Sequence, residues 1–168
     1  MLNSISLYLA GLPSEHARLA LRPLLEAIGD RISSQCVSSA GLSIKAAAGV
    51  LVKLGAAAVY ATANGILVAR AANTNMAALV GTVTINRFNV YSFFIDSAGT
   101  LTSVMGVSGA TLAAVKFPDI PVGRAQLGFI VVNPTAGSFI GGTTALDAAN
   151  TNVVYVNTIG PFDTTILI

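Results

Sequence analysis

The residues that could carry out catalysis in this sequence are few and far apart. His16 is the only histidine and Cys36 the only cysteine among 168 residues, so a Ser-His-Asp or Cys-His arrangement would have to be built on them. Nothing in the sequence brings the two together, and the local pattern puts His16 on the charged side of a predicted helix. We therefore interpret His16 as a solvated residue and Cys36 as a small buried one.

The acidic residues after the first third of the chain offer no better catalytic pattern. They are Asp96, Asp119, Asp147 and Asp163. A pair of carboxylates could cleave a glycosidic bond, but each of these lies in a predicted turn or loop, where Asp is common because its side chain bonds nearby backbone groups. Asp147, Asn150 and Asn152 could hold a hard cation, yet they lack the pattern of a calcium loop. We predict no enzyme activity, metal or cofactor.

The composition is unusually poor in charge. Hydrophobic residues make up 54% of the chain and charged residues only 10%, whereas about a quarter of a typical globular chain is charged. The formal net charge is +2, and the basic residues are spread singly, so nothing indicates a nucleic-acid partner. So little charge would leave a solitary protein with an apolar surface, which favours a membrane protein or a subunit covered by its neighbours.

The membrane interpretation is the weaker of the two. The most apolar stretch, residues 46–69, contains Lys53 and the pair Asn64 and Gly65, whereas a spanning helix needs about 20 predominantly apolar residues. An Asn-Gly pair between apolar runs is a strong β-hairpin signal, so we predict no membrane segment. Residues 7–12 are apolar but lack the positive region of a secretory signal, and we expect Met1 to begin an unprocessed chain.

The composition changes near Ser39, which predicts an N-terminal helical arm over residues 1–38 and a β-rich domain over residues 39–168. An amphipathic helix is expected over residues 14–34, kinked or split by Pro23 near Arg22. Its apolar residues recur at intervals of three and four; they are Ala17, Leu21, Leu24, Leu25, Ile28 and Ile32. This stripe must pack on another surface, either the chain's own β domain or a neighbouring subunit.

The remainder of the chain alternates short apolar runs with turn signals. Strands are predicted over residues 42–47, 50–54, 57–62, 66–71, 79–85, 90–95, 100–105, 127–132 and 153–157. An Ala-rich stretch at residues 108–115 suggests one short helix. Many short strands at this spacing predict a mainly β fold, an antiparallel β-sandwich or barrel-like domain.

The part of the chain over residues 87–163 resembles a domain that recurs in small virion proteins of tailed bacteriophages, of the head decoration, cement or fibre types. The matching features begin with an aromatic strand and turn, VYSFFIDSAGT, at 90–100. A corner, PDIPVG, follows at 118–123. The strand AQLGFIVVN at 125–133 and the run FIGGTTALD at 139–147 complete the resemblance.

The resemblance implies a capsid decoration or cement subunit at the virion surface, with the major capsid protein as partner and a homotrimer as the expected oligomer. A fibre or adhesin module that binds a host surface is the alternative. We expect the N-terminal arm to insert into a neighbouring subunit while the β domain forms the trimer. The expected interface residues are Leu7, Leu9, Leu12, Leu21, Leu24 and Ile28.

Overall fold

The fold is known from a computed structural model that describes residues 15–161. These residues form a mainly β structure with one α-helix at its N-terminal end. The helix α1 is Glu15–Ser33. The strands are β1 Gln35–Cys36, β2 Ser43–Ile44, β3 Val52–Lys53, β4 Val59–Ala63, β5 Ile66–Arg70, β6 Thr82–Val83, β7 Asn89–Ile95, β8 Leu101–Met105, β9 Ala125–Val132, β10 Phe139–Ile140 and β11 Val153–Asn157.

A four-stranded antiparallel sheet in the order β11-β9-β7-β8 forms the centre of the molecule. All seven residues of β7 are buried, because strands lie on both sides of it and side chains cover both faces. Strand β9 carries a bulge, since Phe93 pairs with Gly128 whereas Phe94 pairs with Gln126. Gly128 fits this point because an added Cβ would lie 2.4 Å from the carbonyl oxygen of Val156.

A three-stranded antiparallel sheet in the order β1-β4-β5 packs on the central sheet. Val59 and Ala61 of this sheet share one buried cluster with Phe93 and Leu127 of the central sheet. Residues of both sheets therefore contribute to one main core. A second, smaller cluster on the other face of the central sheet contains Val90, Val115 and Phe129.

The predicted β-hairpin around Asn64 and Gly65 is confirmed. The two residues join β4 to β5 with positive φ angles of 51° and 76°, as a tight two-residue turn requires. The two remaining sheets are short pairs, β2 with β3 and β10 with β6. Strand β1 precedes residue 39, where the sequence predicts a domain boundary, and it pairs with β4 beyond that point.

Two local predictions need correction. Residues 108–115 do not form an α-helix; only a 3₁₀ turn, Leu112–Ala114, is present. Gly109 exchanges backbone hydrogen bonds with Phe88, and Val107 does so with Lys116, so the ends of this segment serve as β-bridges. Of the two expectations at Pro23, a kink or a split, the split is wrong, because the helix runs unbroken over Glu15–Ser33. The proline is exposed, so water can bond the Leu19 carbonyl that would otherwise accept from residue 23.

Several strands are also shorter than predicted. The run at residues 42–47 contributes only Ser43–Ile44, because the chain turns where the Gly49 N–H donates to the Ala46 carbonyl. Ala48 within this turn has a φ of 54°. Its N–H donates to the carboxylate of Asp147 at 2.9 Å, a contact that stabilises the turn.

Candidate interaction surface

The two residues that could have carried nucleophilic catalysis do not form a site in the described part of the chain. Cys36 is 1% exposed, and its thiol donates to the Ser38 carbonyl at 2.9 Å. Burial raises the pKa of the Cys36 thiol, which disfavours the reactive thiolate. The interpretation of Cys36 as a small buried residue is confirmed. The side chain of His16 lies outside the described residues.

The loop aspartates serve the backbone. The carboxylate of Asp96 accepts hydrogen bonds from the N–H groups of Ala98 and Thr100, at 3.0 and 2.8 Å. The Thr100 bond is the main reason that the pKa of Asp96 lies below its ordinary value. Asp96 is thus a turn residue, as the sequence predicts. Asp119 is exposed, and Asp163 lies outside the described residues.

The candidate cation ligands also have structural partners. Asp147 accepts from Ala48, and the Asn152 side chain donates to the Asn133 carbonyl at 3.1 Å. Within residues 15–161, no three His, Cys, Asp or Glu side chains lie close enough together to hold a metal ion.

The aromatic residues that the sequence concentrates around β7 belong to the core. Tyr91, Phe93 and Phe94 are fully buried, and Tyr91 packs edge-on against Phe139 with ring centroids 6.0 Å apart. Among the aromatic side chains within residues 15–161, Tyr60 is the one classed as exposed. The described surface therefore presents no aromatic platform of the kind used to bind sugars or bases.

Three hydrogen bonds hold the C-terminal part of helix α1 on the β structure. The Asp30 carboxylate accepts from the Gly123 N–H at 2.9 Å. The Ser33 carbonyl accepts from the Gly65 N–H at 2.9 Å. The Ser34 hydroxyl accepts from the Asn64 N–H at 2.9 Å. The helix is thus attached both to the corner at residues 118–123 and to the tip of the β4–β5 hairpin.

The polar side of α1 faces the β structure. Together with the corner it lines a groove of about 410 Å³, whose walls are Glu26, Ala27, Asp30, Arg31, Asp119, Ile120 and Val122. Glu26 also receives a hydrogen bond from Arg22 at 2.9 Å along the helix. Charged residues of the helix therefore line the groove. The opposite side of the helix, which carries the apolar stripe, is turned away from the β structure.

The apolar stripe of α1 is exposed. Leu21 is 39% exposed, Leu24 54%, Ile28 46% and Ile32 59%. Successive helical residues are about 100° apart around the axis, so Ile28 and Ile32, each two residues from Asp30, lie about 160° away from it. The sequence allows two partners for this stripe, the chain's own β domain or a neighbouring subunit. The stripe does not pack on the described β structure.

The predicted interface residues fall into two groups. Leu21, Leu24 and Ile28 lie together on this exposed face. Leu7, Leu9 and Leu12 lie outside the described residues. Ile32 was part of the recognised periodic pattern but not of the predicted interface, although it is the most exposed member of the stripe within the last turns of the helix.

Two further apolar residues are exposed beside the end of the helix. Ile66 is 53% exposed and Leu67 is 65% exposed. Both follow Gly65, whose N–H bonds the last residue of α1, Ser33. They are consecutive in β5, so their side chains point to opposite faces of the sheet. We call the helix residues Leu21, Leu24, Leu25, Ile28 and Ile32 the apolar face. The position of Ile66 and Leu67 was missed, because the sequence does not reveal that the hairpin tip meets the helix.

Comparisons with known proteins found no relative from which a function could be inferred. No family model matches the sequence, and neither the curated proteins nor the solved structures give a significant match. Among residues 15–161, no helix has the length and hydropathy that a membrane crossing requires.

Proposed function

We propose that this chain is a non-enzymatic structural virion protein, a capsid decoration or cement subunit that binds the phage head surface and stabilises the shell. In this proposal the major capsid protein is the partner, the subunit is a homotrimer, and its two larger sheets form a β-sandwich or a barrel-like domain. The protein acts by binding, and the apolar face is its contact with a neighbouring subunit.

The observation that carries the proposal is the exposed stripe on a helix whose polar side is bonded to the protein's own β structure. Fully burying a Leu or Ile side chain contributes about 1.5–3 kcal/mol, and five such residues of α1 are exposed, four of the stripe and Leu19. An amphipathic helix normally turns this side inward. The inverted arrangement is what a subunit needs if a neighbour supplies the other half of the core.

The scarcity of charge supports the same conclusion. With 10% charged residues, the surface is suited to close contact with other subunits, since charged groups are depleted from interface cores. A protein that binds only the assembled shell stabilises that state by mass action. Binding across adjacent capsomers would therefore oppose the outward pressure of a packaged genome.

The segments that carry the resemblance to virion proteins also have structural roles. The turn at residues 96–100 is closed by Asp96. The corner at residues 118–123 ends at Gly123, which bonds Asp30 of α1. One of the recurrent segments thus determines how the helix is presented, which supports transfer of a binding role to this chain.

The test is co-sedimentation of the purified full-length chain with phage heads that lack it, followed by thermal disruption of the heads with and without bound protein. We expect saturable binding, with a fixed number of copies per head, and a higher disruption temperature for the decorated heads. A chain that stays in the supernatant while the heads sediment, or that binds intact host cells instead, would refute the proposal.

A matched pair of variants links binding to the apolar face. Leu24→Gln with Ile28→Gln makes the stripe polar, whereas Val80→Gln with Val107→Gln introduces the same two side chains at exposed apolar positions away from the helix. We expect the first double variant to bind heads more weakly, because it changes the proposed contact. Both pairs are exposed in the isolated chain, so neither double substitution disturbs its core. The Val80→Gln, Val107→Gln protein should bind like the wild type.

A further inference from the structure

We propose that Asn64 is a latent site of covalent modification, which is preserved while helix α1 is attached and is converted to aspartate or isoaspartate when the helix detaches. The reaction uses a neighbouring backbone nitrogen as the nucleophile and water as its only co-reactant. The proposal concerns a single chain, so it goes beyond the capsid role and does not depend on it.

Asn64 is the only asparagine in the sequence that is followed by glycine. Asparagine is thermolabile in proteins, and most of all before glycine, which has no Cβ to obstruct the approach of its backbone nitrogen. That nitrogen bonds to the side-chain carbon Cγ of the asparagine, and ammonia leaves with the proton that the nitrogen gives up. The product is a cyclic imide. Water then opens the ring at one of its two carbonyl groups, which leaves aspartate or isoaspartate.

The attached helix holds the nitrogen that would attack. The Gly65 N–H donates to the carbonyl of Ser33, the last residue of α1, at 2.9 Å. The Asn64 N–H donates to the Ser34 hydroxyl at 2.9 Å. Both turn residues also have fixed positive φ angles, 51° and 76°, as a two-residue turn requires. Ring closure must therefore break the bond to Ser33 and rotate the peptide group towards the Asn64 side chain.

Burial does not protect the pair. Asn64 and Gly65 are both exposed, and no atom lies within 4 Å of a Cβ added to Gly65. Water therefore has access to the side chain in the folded protein. Since solvent is already present, the contact with the helix and the turn conformation determine how fast Asn64 is converted.

The product would oppose the return of the helix. Both products carry a carboxylate where Asn64 has a neutral amide. A Cβ added to Gly123 would lie 3.7 Å from the Cβ of Asn64, and the Gly123 N–H donates to the Asp30 carboxylate at 2.9 Å. The new negative charge would therefore lie near Asp30, and also beside the C-terminal end of α1, which carries a negative partial charge. Conversion of Asn64 would thus make detachment permanent.

Peptide mapping by mass spectrometry during incubation at neutral pH measures the conversion in the full-length chain. We expect the folded wild type to convert much more slowly than the same chain unfolded in urea. Asp30→Ala lacks the bond to Gly123, so the population with a detached helix, and with it the rate of conversion, should rise about fivefold. Asp119→Ala removes an exposed carboxylate that does not bond the helix, and it should convert like the wild type.

Hydrogen exchange of the Gly65 amide provides the second measurement, because it requires the same opening of the bond to Ser33. Exchange and conversion should accelerate by the same factor in Asp30→Ala. They should also rise together in the wild type as urea is added below the unfolding transition, so the test does not depend on one variant. A wild type that converts as fast as the unfolded chain, or exchange that accelerates without conversion, would overturn the proposal.

A charge introduced by substitution tests whether detachment becomes permanent. Asn64→Asp carries the carboxylate of the product, whereas Asn64→Gly accepts the positive φ without a charge. We expect the Gly65 amide to exchange faster in Asn64→Asp than in the wild type, and nearly as slowly in Asn64→Gly as in the wild type. Exchange in Asn64→Asp as slow as in the wild type, or equally fast exchange in both variants, would refute the effect of the charge.

Discussion

Asp30 and Ile28 project from opposite sides of the same helix. The Asp30 carboxylate accepts a hydrogen bond from the Gly123 N–H at 2.9 Å, whereas the Ile28 side chain is 46% exposed. The usual orientation of an amphipathic helix is therefore reversed, because a polar residue contacts the protein and an apolar residue contacts solvent. This reversal means that a substitution at Asp30 tests the attachment of the helix, whereas a substitution at Ile28 leaves that attachment in place.

Removal of the Asp30 carboxylate should loosen the helix without unfolding the β structure. We expect Asp30→Ala to lower the free energy of unfolding by about 1 kcal/mol, since a bond to a charged acceptor is worth about 1.5–3 kcal/mol and this one is partly exposed. Exchange of the Gly123 amide hydrogen should accelerate. Asp30→Asn keeps an acceptor oxygen, so its free energy of unfolding should lie between those of the wild type and Asp30→Ala. Slow exchange of the Gly123 amide hydrogen in Asp30→Ala would contradict the assigned bond.

Asp96 should make the stability of the chain depend on acid. The pKa of Asp96 is lowered in the folded protein, chiefly by the Thr100 hydrogen bond, so its contribution is present above the ordinary value of 3.8 and is lost as the pH falls through the folded value. Urea unfolding should show that the wild type exceeds Asp96→Asn in stability at pH 6 and that the difference shrinks below pH 4. The exposed residue Asp119, changed to Asn, is the control, and an equal pH dependence in both variants would rule out the effect.

The Tyr91 hydroxyl should be dispensable for folding. It is buried and has no hydrogen-bond partner among the described residues, and a buried polar group without a partner is destabilising. We expect Tyr91→Phe to raise the free energy of unfolding by up to about 1 kcal/mol while it keeps the edge-on contact with Phe139. Tyr60→Phe, at an exposed site, should be neutral; a marked loss of stability in Tyr91→Phe would reveal a partner.

The same hydroxyl should limit stability in alkali. Burial raises the pKa of Tyr91 to about 12 from the ordinary 10.0. The contribution of the neutral Tyr91 hydroxyl to the free energy of unfolding is therefore fully present below pH 10 and is lost as the pH rises towards 12. The stability of the wild type should accordingly fall more steeply than that of Tyr91→Phe over this interval, as monitored by urea unfolding. Parallel curves would exclude Tyr91 as the cause.

Gly128 should tolerate no side chain. An added Cβ would lie 2.4 Å from the Val156 carbonyl oxygen and 2.7 Å from Leu42 Cδ1, so Gly128→Ala should lower the free energy of unfolding by about 1–3 kcal/mol. Gly137→Ala is the control, because its φ is also positive but no atom lies within 4 Å of the added Cβ. An equal loss of unfolding free energy in the two variants would mean that the destabilisation comes from the backbone conformation and not from crowding at the bulge.

The central strands could be predicted from the sequence because their signals are local. The apolar run of β7 and the Asn-Gly turn between β4 and β5 require no knowledge of distant residues. The two-residue strands β1 and β10 carry no such signal, since each is defined by its partner across the sheet. Strands this short form only where the folded chain places a partner strand beside them, so they cannot be predicted from a local pattern.

The candidate surface was predictable only in part, for a similar reason. The periodicity of α1 identifies an apolar stripe, but it does not tell which side of the helix faces the β structure. That orientation depends on the Asp30–Gly123 bond, which joins residues 93 positions apart. The position of Ile66 and Leu67 beside the end of the helix depends likewise on the contact between Gly65 and Ser33.

The junction between α1 and β1 determines where the molecule would yield under tension. Strand β1 follows the helix after a single residue and pairs with β4 at only two positions, Gln35 with Thr62 and Cys36 with Ala61. A load applied through the helix would reach this short edge before it reached the long central strands. Partial detachment of the helix and β1 could then absorb displacement while the interior stays folded, so the helix is joined to the β structure by a compliant connection.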